Sequence, residues 1–206
     1  MALDHYEFFE KSPVAGAPLI FAFHGTGGNE HQLTELVGDL LPGAGIIAPR
    51  GDVSEHGALR FFRRRAEGDY DMEDLALRTQ KMVDFVAAHK ERYPGRPVCG
   101  LGYSNGANIL ASVTMERPDL IDRAALLHPL IPWQPEPVEG LNDRSVLITA
   151  GRRDPICPWP MTERLVAWYK EQGAAVMTAV HDGGHELRDG EINALAQFFE
   201  THLETT

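Results

Sequence analysis

The stretch GYSNGANIL (Gly102–Leu110) places a serine between two glycines, after an apolar run and before a segment of helical pattern. A serine hydroxyl becomes nucleophilic at neutral pH only beside a general base, and that base needs an acid to hold it in one tautomer. Candidates for both stand further along the chain. His185, in HDGGHEL, follows the last strand-like run and precedes the final helix, and two glycines before it let the loop bend back. Asp154, in ITAGRRDPICP, lies just past another apolar run, where a carboxylate can reach that loop. His181 and Asp182 compete for the two roles, but His181 ends a strand-like run and lacks the preceding glycine pair. Each feature alone has an ordinary explanation: a helix-capping serine, an Asp-Pro turn, a Gly-Gly-His loop. Their coincidence at three strand ends favours acyl transfer through Ser104, His185 and Asp154.

Acyl transfer also needs donors for a developing oxyanion. The loop AFHGTGGNE (Ala22–Glu30) follows the first confident strand and precedes a helix, and its glycines let backbone N–H groups turn outward. The amide after the nucleophile, Asn105, is one expected donor, and Thr26 in this early loop is the other. The run is not a phosphate cradle, since it lacks the Gly-Lys-Ser/Thr ending and does not fit Gly-x-Gly-x-x-Gly. His24 is expected to brace the loop by hydrogen bonding rather than to transfer protons.

The elements that must position these residues alternate in type. Short, mostly continuous apolar runs at 19–23, 45–48, 98–102, 124–127, 146–150 and 176–180 predict buried parallel strands, with 6–10 as an extra edge strand. Helices are predicted over 31–40, 72–92, 104–116, 160–171 and 187–203; in the second, Leu75, Met82, Val83 and Val86 share one face. Strands and helices taking turns imply a mostly parallel sheet covered on both sides. Two segments depart from the alternation: 50–71, an irregular connection with the basic centre RFFRRR, and 128–142, broken by Pro129, Pro132, Pro135 and Pro137.

Composition bounds the function. With 206 residues, of which 43% are hydrophobic and 24% charged, the chain is expected to be one soluble domain. Its net charge of −11, from 30 acidic and 19 basic residues, argues against nucleic acid as a partner. No apolar stretch approaches a bilayer span of about 20 residues, and the mixed start MALDHYEFFEK does not read as a signal peptide. A cytoplasmic location with Cys99 and Cys157 reduced is the expectation. Cys99 reads as core and Cys157 as a small packed residue. His181 and His185 are separated by Asp-Gly-Gly and lack a third ligand in sequence, so no metal is expected. Arg63, Arg64 and Arg65 read as a solvated run paired with Glu67, Asp69 and Asp71, with attraction of an acidic substrate group as the competing view. Ile156 and Trp133 are candidate walls of a substrate pocket, being on loops that follow strands.

Together FHGTGG, APRG, GYSNGA, DPICP and GGHEL resemble the bacterial phospholipase/carboxylesterase family of α/β-hydrolases, related to the acyl-protein thioesterases, over nearly the whole chain. The resemblance implies an α/β-hydrolase domain without a large lid, carrying a Ser104–Asp154–His185 triad with Thr26 and Asn105 as oxyanion amides. It implies cofactor-free hydrolysis of small to medium acyl esters, often by a homodimer. Two other readings use the same residues: a thioesterase, lysophospholipase-type or lactone hydrolase, and a non-catalytic ligand-binding protein on this fold.

Overall fold

The structure, a computed structural model, describes residues 2–200. In chain order its strands are β1 (Phe8–Lys11), β2 (Leu19–Phe23) and β3 (Gly45–Pro49), then the hairpins β4–β5 (Val53–Glu55, Ala58–Arg60) and β6–β7 (Arg64–Ala66, Asp69–Tyr70). They continue as β8 (Val98–Tyr103), β9 (Arg123–Leu127), β10 (Ser145–Gly151) and β11 (Ala175–His181). The α-helices are α1 (Thr34–Leu40), α2 (Met72–Glu91), α3 (Asn105–Glu116), α4 (Trp159–Glu171) and α5 (Asp189–Glu200).

Seven strands form one sheet in the spatial order β1-β3-β2-β8-β9-β10-β11. Only β1 runs antiparallel, against β3. The continuously apolar β2 and β3 are buried at every position because helices cover both sheet faces. One face packs Phe21, Ile47 and Ile148 with Met82 and Phe85 of α2, Ile109 and Leu110 of α3, and Leu165 and Trp168 of α4. The other packs Ile20, Leu101 and Leu147 with Val37 of α1 and Leu195 and Phe198 of α5. Truncating a fully buried ring such as Phe21 costs about 3–5 kcal/mol. This is an α/β-hydrolase architecture, and no large lid is inserted within the described residues.

Several boundaries differ from the sequence-based expectations. The edge strand is real but spans Phe8–Lys11 rather than 6–10. The last strand, expected to be central, is the opposite edge of the sheet and is only partly buried. Helix α1 begins at Thr34 instead of residue 31, and α5 begins at Asp189 instead of 187; residues 201–203 lie outside the described residues. The connection 50–71 is not irregular, since it folds into two hairpins. The β4–β5 turn has positive φ at both His56 (52°) and Gly57 (91°), the two-residue turn that matches strand twist.

Register then sets what meets at the sheet's carboxyl end. Tyr103 pairs with Leu127, and Leu127 pairs with Thr149, so the residues that follow these strands emerge side by side. That is where open α/β sheets place their sites.

Candidate active site

Ser104 stands between the end of β8 and the start of α3. Its φ of 53° and ψ of −115° lie outside the regions open to most residues, a strain of order 1–3 kcal/mol. The turn is held by the Ser104 amide, which donates to the Leu127 carbonyl (2.8 Å), and by the Ser104 carbonyl, which accepts from Asn108 N–H (3.0 Å). Gly106 is required at the second position of α3, because a Cβ there would collide with the carbonyls of Phe23 and His24 at the end of β2. Ser104 does not cap α3 with its side chain, which leaves the hydroxyl directed elsewhere.

The hydroxyl is 2.9 Å from His185 Nε2. On the far side of that ring, Nδ1–H donates to Asp154 Oδ2 at 2.7 Å, which fixes the tautomer with Nε2 facing the serine. The loop carrying His185 is set by Tyr103, whose hydroxyl donates to the His185 carbonyl (2.8 Å) while its ring lies beside the imidazole. Gly151 at the end of β10 makes room for this loop, because a Cβ would run into the Gly183 and Gly184 carbonyls. Ser104, His185 and Asp154 therefore come together at the carboxyl end of the sheet. Asp182 is not part of the line; it is exposed, with its carboxylate 3.8 Å from Arg152 and its carbonyl accepting from Arg153 Nε.

Asp154 is 5% exposed and accepts four hydrogen bonds. Oδ1 takes the amides of Ile156 (2.8 Å) and Cys157 (3.0 Å), and Oδ2 takes His185 and a second imidazole, His128, at 3.0 Å. Burial alone would raise its pKa, but these donors outweigh that and hold the carboxyl below its ordinary value. His128 is fully buried just after β9, and its other nitrogen, Nε2, is 2.9 Å from Glu191 Oε1 on the first turn of α5. His181 also joins this side: its Nδ1 accepts from Gly183 N–H and its Nε2 is 3.1 Å from Glu191 Oε2. Sequence reasoning missed His128 and Glu191. The available signal was position, since His128 directly follows a central strand at the same sheet end as every other candidate.

The early loop is tightly organised. Gly25 N–H donates to Gln32 Oε1 (2.7 Å), Gly27 N–H to the Leu59 carbonyl (2.9 Å), and Gly28 N–H to the Gly25 carbonyl (3.0 Å). Thr26 N–H, between these bonded glycine amides, and Asn105 N–H, first in α3, make no hydrogen bond to a protein acceptor among the described residues. His24 braces the loop from below: Nδ1–H donates to the Gly25 carbonyl (2.7 Å) and Nε2 accepts from Gly51 N–H (2.8 Å). Burial lowers its pKa, in keeping with a neutral structural ring.

These residues border a cleft of about 270 Å³ whose walls include Arg60, Tyr70, Leu130 and Ile156. Two asparagines of α3 hold its rims: Asn105 Oδ1 accepts from Phe61 N–H (2.8 Å) and Asn108 Oδ1 from Leu130 N–H (2.7 Å). Ile156 is one of its walls. Trp133 is not; it borders a neighbouring cleft of about 530 Å³ with Met72 and Met115, because the proline-rich segment carries its ring to the far side of Tyr70. Arg63 pairs with Asp71 and Asp74, and Arg64 with Glu67 and Glu55, so this part of the basic run is locally compensated. Arg64 nevertheless also reaches the cleft wall. Cys99 and Cys157 are free and buried; burial pushes the Cys99 thiol up to about 12 and Cys157 well above its ordinary value.

Two triples, His128–His181–Glu191 and His128–Asp154–His185, have ligand atoms within 4.8 Å of one another. In both, His128 already spends each nitrogen on a carboxylate, so a metal would have to displace those bonds. No helix among the described residues is long and apolar enough to cross a membrane.

No protein-family model matches the chain. It is 36% identical over 184 residues to MhqD of Bacillus subtilis (strain 168), named as a hydrolase, covering 88% of this chain and 92% of that one. Among solved structures it is similar to Atu2452 of Agrobacterium tumefaciens str. C58, a protein of unknown function, with a TM-score of 0.93, 53% identity and 98% of each chain covered. It is also similar to the Bacillus cereus carboxylesterase, with a TM-score of 0.90, 33% identity, and 95% and 94% of the two chains covered. With this sheet order and these relatives, the chain belongs to the esterase family of α/β-hydrolases.

Proposed function

We propose that the protein is a serine carboxylesterase acting on small to medium acyl esters through an acyl-enzyme. His185 Nε2 takes the proton of Ser104 as Oγ attacks the ester carbonyl. The Thr26 and Asn105 amides receive the oxyanion, each contributing about 3–4 kcal/mol in the transition state. His185 then protonates the leaving alcohol and activates the water that releases the acid. Asp154 keeps Nδ1 protonated and stabilises the imidazolium. The observation that carries this reading is the unbroken line from Ser104 Oγ through His185 to Asp154, at 2.9 and 2.7 Å. The test is intact-mass measurement after a fluorophosphonate probe, on wild type and Ser104→Ala, followed by p-nitrophenyl esters of increasing chain length. A single adduct lost in the variant supports the reading, and its absence from wild type sinks it.

Arg60 favours a narrower substrate class. It is 2% exposed, borders the cleft and donates to Thr26 Oγ1 (2.8 Å), with its one carboxylate contact, Glu55, at 3.5 Å. Burial and the neighbouring Arg64 pull its pKa down more than Glu55 lifts it, leaving a cation short of counter-charge. An acyl group ending in a carboxylate suits that position. Half-esters of dicarboxylic acids are then hydrolysed faster than neutral esters of equal length, and Arg60→Gln removes the preference. An equal loss on both substrates would assign Arg60 to the support of Thr26 alone.

A further inference from the structure

His128 has no part in the reaction written above, yet it is fully buried against the acid of the reacting line. Both of its nitrogens face carboxylates: Nδ1 lies 3.0 Å from Asp154 Oδ2 and Nε2 lies 2.9 Å from Glu191 Oε1. A carboxylate only accepts, so two such bonds require both ring nitrogens to carry protons. The remaining neighbours do not compete for that charge. His185 Nδ1 donates to Asp154, His181 Nε2 lies 3.1 Å from Glu191 Oε2 without a hydrogen bond, the Tyr103 ring is edge-on at 6.2 Å, and the Cys157 thiol donates to the His128 carbonyl at 3.2 Å.

We propose that His128 is a permanently protonated positioning residue, a cation clamped between Asp154 and Glu191 that sets the basicity of His185. The rings of His128 and His185 are 5.1 Å apart. A fixed positive charge there opposes formation of a second imidazolium beside it. Glu191 keeps that charge in place. Its Oε2 is held by the Arg188 amide (2.8 Å), and its position on the first turn of α5 puts it in the favourable field of the helix N-terminus. The titration directions agree. Although burial lowers it, His128 is raised overall by its two carboxylate bonds, and Glu191, although burial raises it, is lowered overall by the bonds it accepts.

The clamp rests on the triad reading, but its charge state can be measured independently of catalysis. In ¹⁵N-histidine-labelled wild-type protein, His128 is expected to show two ring N–H groups from pH 6 to 9; a neutral ring in that range overturns the proposal. Kinetics give the second arm, through the acidic limb of kcat/KM for p-nitrophenyl acetate. His128→Gln retains a donor for Asp154 but no charge, and should move that limb up by roughly one to two pH units, from two unit charges at this separation. Glu191→Gln loosens the hold on that charge and should move the limb in the same direction by a smaller amount. An unmoved limb in His128→Gln assigns His128 to packing alone. Failure of Ser104→Ala to abolish labelling would sink the triad without touching the NMR result.

Discussion

Asp154 Oδ2 accepts from two imidazoles, and the two differ in what lies beyond them. Past His185 is a hydroxyl in an open cleft; past His128 is a second carboxylate in the interior. The same residue type against the same oxygen therefore serves opposite ends. A ring with a neutral partner can gain and lose a proton within one turnover, whereas a ring between two anions is held in one state. Chemical role here follows the partner on the far nitrogen, not the contact with Asp154.

The largest effects are expected on the solvent side. Ser104→Ala removes the group that gives His185 a proton to take, and kcat is expected to fall by about 10⁴–10⁶, read with purified protein on p-nitrophenyl acetate; an unchanged rate ends the reading. Asp154→Asn removes the shared negative charge, puts an N–H₂ donor in place of one oxygen and lets His185 adopt the wrong tautomer. A loss of about 10⁴ in kcat is expected, together with a lower Tm because His128 is left charged beside one carboxylate. Equal Tm values by calorimetry would count against a charged His128.

Smaller effects are expected from two other changes. Tyr103→Phe deletes the hydroxyl that fixes the His185 loop, a net contribution of about 1 kcal/mol, and should lower kcat roughly fivefold with KM unchanged. Far from both rings, Glu30 is held down to about 2 by its hydrogen bonds with Arg50, against the opposing effect of burial. Its folded pKa is depressed, so the stability it provides is present above about 4.5 and lost as pH falls through about 2. Glu30→Gln should therefore have a lower Tm than wild type at pH 7, and the gap should close in acid. Throughout, the pH–activity limb above pH 5 should stay put, since Glu30 touches neither imidazole.

How much of this was legible in sequence depended on whether a residue's neighbours betray its geometry. Ser104 was legible because a strained turn between strand and helix needs glycine on both sides, and Gly102 and Gly106 are in the sequence. His185 and Asp154 were legible because each lies in the loop that follows a run of strand character. Glu191 was not, since an acidic residue on the first turn of an amphipathic helix reads as solvated, and only the tertiary packing of α5 buries it. His128 was hidden by the prolines after it, which made its segment look like a loop rather than the end of β9. The hairpins of 50–71 were overlooked although Gly57 and Gly68, both at positive φ, mark their turns.

Helix α3 starts directly after Ser104, and within its first turn Asn105 and Asn108 each fasten one rim of the cleft. The walls and Ser104 thus share a single rigid mount. Evolution or design can retune such an enzyme by exchanging the side chains that project from the rims, Leu130 and Ile156 foremost, while leaving the backbone alone. An insertion in either rim would instead detach a wall from the atom whose approach angle it guards, and would be felt first as lost discrimination among acyl groups.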